Sequence, residues 1–194
     1  MRSETPTGKA LDILHASRML MMDRGFNGFS FRDVAQEVGI RSASIHYHYA
    51  TKADLAEATA KSYRLAFNDC VNQIDATSAT DLLRAYGALF ITTLREQGRL
   101  CLGGMLAADI ASLPEPVRAE VSMFFTEQNQ WIEKVITEGQ EAGTLRTDLD
   151  AALFAKMFVS SLEGAMMVSR GLQQPQDLEA ALEILIQLVQ LKAE

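Results

Sequence analysis

The run from Ser30 to Tyr49, Ser-Phe-Arg-Asp-Val-Ala-Gln-Glu-Val-Gly-Ile-Arg-Ser-Ala-Ser-Ile-His-Tyr-His-Tyr, constrains this chain more than any other stretch. Ser30 followed three residues on by Asp33 is a capping-box signal, so a helix is expected from Phe31. Val34, Ala35 and Val38 fall on one face of that helix. Gly39 supplies the left-handed residue that ends it, and Ile40 is apolar and can plug the turn. Arg41-Ser42-Ala43-Ser44 then opens a second short helix that carries Ile45 inward. Two short helices joined by a tight glycine-containing turn make a helix-turn-helix, whose second helix enters the DNA major groove.

The flanks extend the pattern. Ile13, Leu14, Ala16 and Leu20 precede Gly25-Phe26, and His46-Tyr47-His48-Tyr49 precedes Thr51-Lys52-Ala53-Asp54-Leu55. Over about residues 9–60 this resembles the TetR family of bacterial regulators. The matching parts are the first helix with its Gly-Phe end, the aromatic-rich recognition helix and the Thr-Lys-x-x-Leu start of the next helix. The resemblance implies an all-α protein in two domains. A helix-turn-helix domain would occupy residues 1–67, and an effector-binding and dimerisation domain residues 68–194.

Charge alone gives a weak signal for nucleic acid. The net charge is −7. Its distribution answers part of the objection: residues 1–67 hold nine Lys/Arg against seven Asp/Glu, and residues 68–194 hold nine against eighteen. The positive share sits with the motif, and the acidic remainder is kept off the phosphates. No apolar run approaches the roughly 20 residues needed to span a bilayer, and Met1-Arg2-Ser3-Glu4-Thr5-Pro6 has no apolar signal region. Both point to the cytoplasm and to no membrane partner. Cys70 and Cys101 fit reduced thiols better than a disulfide framework.

About nine helices and no convincing strand are expected. Residues 1–8 read as a loose arm from which Arg2 could touch DNA. The first helix runs from about Lys9 to Arg24, facing the core with Ile13, Ser17, Leu20 and Met21, and Phe26 and Phe29 plug its far end. Thr51 with Asp54 is a second capping box, opening a long helix to about Asp75. Ser78 and Asp81 cap a helix to Gln97 with Leu82, Tyr86, Leu89, Phe90 and Leu94 inside. A short helix over Leu102–Ser112 and a long one from about Pro116 to Ala142 follow. Asp148 or Asp150 caps a helix through Arg170 that Gly171 ends, and a last helix spans about Gln176–Leu191.

Arg41, Ser42, Ser44 and His46 are the side chains expected to reach base edges, where Arg suits guanine and Ser is less selective. Tyr47, His48 and Lys52 are expected on phosphates, Lys52 from the first turn of its helix, where backbone N–H groups also point. Tyr49 and Ile45 read as core. His46 and His48 are two apart and diverge on a helix, and no Cys or acidic cluster completes a zinc geometry, so no metal is expected. No phosphate loop, nucleophile elbow or His-Glu-x-x-His is present, and no cofactor or enzymatic activity is indicated.

Beyond the motif the side chains are bulky. Met105, Phe124, Phe125, Trp131, Phe154, Met157, Phe158 and Met166 are each expected core, and together, given the resemblance, they are read as lining an effector pocket. Met167 belongs to the same set. Cys101 lies where a helix should begin, two residues from Arg99, a setting that lowers thiol pKa. It is a small buried hydrophobe or a redox-sensing thiol. The last helix has Leu178, Leu182, Leu185 and Val189 on one side and Ile184, Leu188 and Leu191 on another, so it needs burial on both. Ser161, Ala165 and Ser169 permit close helix approach. A homodimer is expected through Ser161, Ala165, Leu178, Leu182, Leu185 and Val189, suiting a palindromic double-stranded DNA operator. The resemblance to the TetR family implies a repressor relieved by a small, mostly apolar ligand or by thiol modification. An activator or ligand-independent repressor, or an all-helical enzyme or lipid carrier using the same apolar interior, are the alternatives.

Overall fold

The computed structural model describes residues 8–191. The arm over residues 1–8 and the contact from Arg2 fall almost wholly outside them. Among the described residues there are nine α-helices and one 3-10 turn, with no strand beyond a single bridge between Leu145 and Gln190. The helices are α1 Lys9–Arg24, α2 Phe31–Val38, α3 Ser42–His48, α4 Lys52–Asn72, α5 Ala79–Gln97, α6 Leu102–Ala108, α7 Glu115–Glu141, α8 Ala151–Leu172 and α9 Gln176–Val189. The chain is all-α, as the periodicity implies.

Contacts group the chain into two compact units. The first holds the residues up to Ala66 together with Leu102–Met123, and the second holds Phe67–Cys101 with the chain from Phe124 onward. α6 and the first part of α7 therefore pack with the N-terminal helices, an allegiance that the expected boundary after residue 67 does not anticipate.

In the first unit α1 buries Ile13, Leu14, Ala16, Ser17, Leu20, Met21 and Met22. It stops at Gly25, whose φ of 72° is left-handed and whose N–H donates to the Met21 carbonyl. A Cβ there would also lie 2.5 Å from Asp109 Oδ2, so both conformation and space require glycine. The carboxylate of Asp109 is drawn in by the Phe26 N–H, which donates to Oδ2 at 2.7 Å. Beside it Asn27 Nδ2 donates to Ser112 Oγ at 2.8 Å. These bonds dock the end of α6 on the α1–α2 turn. Arg64 of α4 donates to Glu120 of α7 at 2.8 Å, with side chains only 11% and 8% exposed.

In the second unit α5, α8 and α9 pack on one another. α5 buries Leu83, Tyr86, Phe90 and Leu94. Leu82 and Leu89, expected inside, are half-buried, because Leu83 takes the inward position. Phe67 meets Tyr86, Phe90 and Phe124 edge-on at 5.9, 5.9 and 5.3 Å. Two helix ends differ from expectation. Gly171 lies inside α8, and Gln173 supplies the left-handed cap at φ 57°, with Pro175 blocking continuation. α9 stops at Val189 because the following backbone pairs with the Leu145–Arg146 segment, the Arg146 N–H donating to Val189 O at 3.0 Å.

The two faces of α9 fall the other way round from the expected dimer surface. Leu178, Leu182, Leu185 and Val189 are all buried inside their own unit. Ile184, Leu188 and Leu191 are the exposed stripe, and α8 adds Leu153, Met157, Met167, Val168 and Leu172. Ser161 and Ala165 are half-buried on α8. Contrary to the expectation that no apolar run approaches membrane length, α8 is long and apolar enough to cross a bilayer by length and composition alone, with a mean hydropathy of 1.4 over its most apolar stretch.

Candidate nucleic-acid interface and effector cluster

The local chemistry of residues 30–55 builds a rigid presentation of α3. The Ser30 hydroxyl accepts from the Asp33 N–H at 3.3 Å, and the Asp33 carboxylate accepts from the Ser30 N–H at 2.8 Å. The Ser30 hydroxyl, donating to Asp33 Oδ2 at 2.5 Å, and then the Ser30 N–H hold the Asp33 carboxyl below its ordinary pKa. Gly39 turns the chain at φ 70°, and the Ile40 N–H donates to Ala35 O at 2.9 Å, closing the helix end. α3 then enters with Ile45 fully buried. That one anchor fixes the rotation of the helix. Ala43 and Tyr47, four apart and opposite Ile45, point outward, and Tyr47 is 87% exposed.

Arg41, Ser44, His46 and His48 are exposed on the same short helix or its cap, and Ser42 is half-buried. His46 is the most constrained of them. Its ring lies edge-on to Phe31 at 4.6 Å, and its Nδ1 is 3.3 Å from the Ala50 carbonyl. Tyr47 and His48 meet edge-to-face at 5.2 Å, forming an exposed aromatic pair at the helix end. Tyr49 turns back into the unit, and burial raises its phenol pKa.

Lys52 has a second allegiance. Its ammonium lies 4.7 Å from the Phe26 ring and 4.6 Å from the Phe29 ring. Burial lowers its pKa, while Asp109 and Asp33 oppose the shift. The Thr51–Asp54 capping box consumes the Thr51 N–H at 2.8 Å and the Asp54 N–H at 3.1 Å. The amides of Lys52 and Ala53 remain at the helix start, where no intrahelical acceptor exists. Ala43 and Asp109 are the residues in this region that sequence reasoning missed. Ala43 was traceable from its spacing to Tyr47, whereas nothing in the sequence ties Asp109 to Phe26, 83 residues away.

In the second unit most of the expected pocket residues converge. Phe124, Phe154, Phe158 and Met166 are buried, and Phe125 and Trp131 are half-buried. Met157 is 41% exposed, on the flank of α8 beside Phe154. Met105 belongs to the first unit, because α6 packs there. The cluster has a polar part that the sequence did not announce. Tyr86 is stacked on Trp131 at 5.6 Å and 18°, and its buried hydroxyl has no partner. Burial pushes its phenol well above the ordinary range, reinforced by Cys101 and Glu163. Glu163 is pushed up to about 7 by burial, against a hydrogen bond from the Cys101 thiol. Cys101 is 2% exposed and sits directly before α6, whereas Cys70 is exposed. Gln128, 1% exposed, donates to Asn68 Oδ1 at 2.9 Å and leaves its own Oε1 unpartnered. A polar residue in register with Phe124 and Ile132 was the available clue to Gln128.

The fold is shared with known proteins. The family model described as "Bacterial regulatory proteins, tetR family" matches residues 13–59, and "Tetracyclin repressor-like, C-terminal domain" matches residues 79–185. A TetR-family regulator from Agrobacterium tumefaciens superimposes with a TM-score of 0.90 at 30% identity, covering 94% of this chain and 98% of that one. A TetR regulator from Legionella pneumophila gives 0.83 at 26% identity, covering 96% and 100%. The HTH-type transcriptional repressor DhaR of Mycobacterium sp. (strain GP1) is 26% identical over 161 residues, 80% of this chain and 79% of that protein. With a helix-turn-helix built on Ile45 and Gly39 and family matches across both units, this chain belongs to the TetR family of bacterial transcriptional regulators.

Proposed function

We propose that this protein is a cytoplasmic repressor that binds a palindromic operator as a homodimer and is released by a small, mostly apolar effector. The observation that carries the reading is α3, anchored by the fully buried Ile45 and presenting Tyr47 and its neighbours to solvent. Arg41, Ser42, Ser44 and His46 read base edges in this proposal, and Ala43 gives the close approach that thymine methyl contact needs. Tyr47, His48 and the start of α4 at Lys52 hold phosphates. Lys52 supplies its charge from its seat on the phenylalanine rings.

The exposed stripe on α8 and α9 supports a two-fold dimer, since a contiguous apolar surface of this kind marks an interface. Two recognition helices then meet half-sites about one DNA turn apart or a multiple. α4 contributes to both units, so a ligand that prefers one position of α4 changes the spacing of the recognition helices. A coupling of roughly 1–3 kcal/mol weakens operator binding about 5–150-fold. The reading requires no catalysis and no resident cofactor. Thiol modification at Cys101 is the alternative trigger, and the burial of that sulfur favours the ligand route.

A salt-dependent gel shift on DNA upstream of the protein's own gene tests the reading. Specific retardation that weakens with salt is expected, because phosphate contacts release counterions. Binding that Tyr47→Ala and Arg41→Ala leave untouched would remove the assignment of α3. Treating wild type and Cys101→Ser with a mild thiol reagent separates the triggers: release lost only in the variant would establish the thiol route.

A further inference from the structure

Every unsatisfied polar atom of the Tyr86–Gln128–Glu163 group can accept a hydrogen bond. Tyr86 Oη, Gln128 Oε1 and Glu163 Oε1 are all shut off from solvent without a partner. Tyr86 is wholly buried and Gln128 is 1% exposed, so neither deficit is made up by bulk water. Buried polar groups left unmatched are rare and call for a specific explanation. The three lie on α5, α7 and α8, the helices that also carry the aromatic cluster.

The group is physically coherent. Tyr86 feels the charge of both Cys101 and Glu163, and the Cys101 thiol donates to the Glu163 carboxyl. Gln128 is one helical turn before Trp131, whose ring lies flat on Tyr86 at 5.6 Å. Phe158 closes the same patch 6.1 Å from Tyr86. Burial raises the Glu163 carboxyl against the Cys101 hydrogen bond, and among the described residues no cation acts on it to oppose the rise. A buried acid beside aromatic rings, with an amide oxygen and a phenol oxygen that can also accept, is complementary to a positively charged donor.

We propose that the effector site carries a polar end made by Glu163, Tyr86 and Gln128, and that it takes a protonated amine on an apolar body. The inference rests on the effector reading above. The ammonium hydrogens satisfy the three acceptors, its charge meets the carboxylate, and the ring faces of Tyr86 and Trp131 add cation–π attraction. A neutral alcohol satisfies one acceptor at a time. A carboxylate brings a second negative charge to a desolvated one and is rejected.

Trp131 is the only tryptophan in the chain, so its fluorescence reports occupancy beside Tyr86. The full-length protein is titrated at pH 8 with decylamine, decan-1-ol and decanoate, and operator release is read in parallel. Decylamine should bind about tenfold tighter than decan-1-ol, the ratio of one charge-assisted hydrogen bond, with decanoate weakest. Glu163→Gln should abolish the preference, Glu163→Asp should keep it, and Tyr86→Phe should weaken decylamine more than decan-1-ol. Equal or tighter binding of decan-1-ol or decanoate, or a preference that survives Glu163→Gln, overturns the amine assignment and leaves the effector reading standing. Silence of Trp131 and of the operator toward all three probes overturns both.

Discussion

Asp109 is the residue on which α6 and the helix-turn-helix unit depend, and Asp109→Ala measures that dependence. The carboxylate accepts from the Phe26 N–H at 2.7 Å and lies within Coulombic reach of Lys52. A hydrogen bond to a charged group contributes about 1.5–3 kcal/mol, and removal also leaves a part-buried backbone N–H without an acceptor. Lys52 keeps its ring contacts but loses one of its two counter-charges. A loss of about 2–3 kcal/mol is therefore expected, a fall in Tm of roughly 4–12 °C for a chain of this size. Asp109→Asn retains an acceptor at the same place and should recover about half of the loss. Thermal and urea unfolding at fixed protein concentration give the size, and hydrogen exchange of the Phe26 amide gives the location. An Ala variant within about 0.5 kcal/mol of wild type, or an Asn variant as damaged as Ala, refutes the assignment.

Three further outcomes are expected. Leu188→Glu, on the exposed stripe, should sediment as a folded monomer, whereas Leu185→Glu, in the subunit's own core, should lose helicity by circular dichroism; the opposite pattern would reverse the faces of α9. Glu120→Gln should cost about 1.5–3 kcal/mol in urea unfolding by replacing the charged acceptor of the Arg64 Nε–H with a neutral one, and a loss below about 0.5 kcal/mol would show that the charge of the pair contributes little. Because the folded pKa of Glu163 is raised to about 7 from 4.5, its contribution to stability is fully present below about pH 4.5 and lost as pH rises through 7. Unfolding from pH 4.5 to 8 should show this decline in wild type and not in Glu163→Gln, and identical profiles would count against the buried carboxyl.

Local signals in the sequence were enough for the recognition domain. The Ser30–Asp33 and Thr51–Asp54 capping boxes, and Gly39 at φ 70°, encode helix ends within a few residues of one another. Ile45 is the sole apolar residue among Ser42–His48 that is large enough to anchor the helix, so its inward direction followed too. Lys52 was legible as a cation at a helix start and illegible as a cation over two rings, because that contact joins residues from separate turns. Asp109, Gln128 and Glu163 escaped for the same reason. Their roles come from partners at long sequence separation, and a lone polar letter carries no record of what faces it.

The faces of α9 show where periodicity stops. The repeat yields two apolar stripes, Leu178-Leu182-Leu185-Val189 and Ile184-Leu188-Leu191, and assigns neither to the core. The choice is made by α5. Gly87 leaves the space into which Leu182 packs, since a Cβ there would lie 2.5 Å from the Leu182 methyl carbons. Arg84 pairs with Glu183 at 3.0 Å and Arg95 with Glu179, both on the flank of the buried stripe. Exposed pairs of this kind add little stability. They do fix rotation, because turning α9 by half a turn would part both pairs and take Leu182 out of the space at Gly87. The stripe carrying Leu188 is thereby left exposed, the surface on which the proposed dimer rests. A glycine and two arginines on another helix decide which leucines of α9 face the core and which face outward.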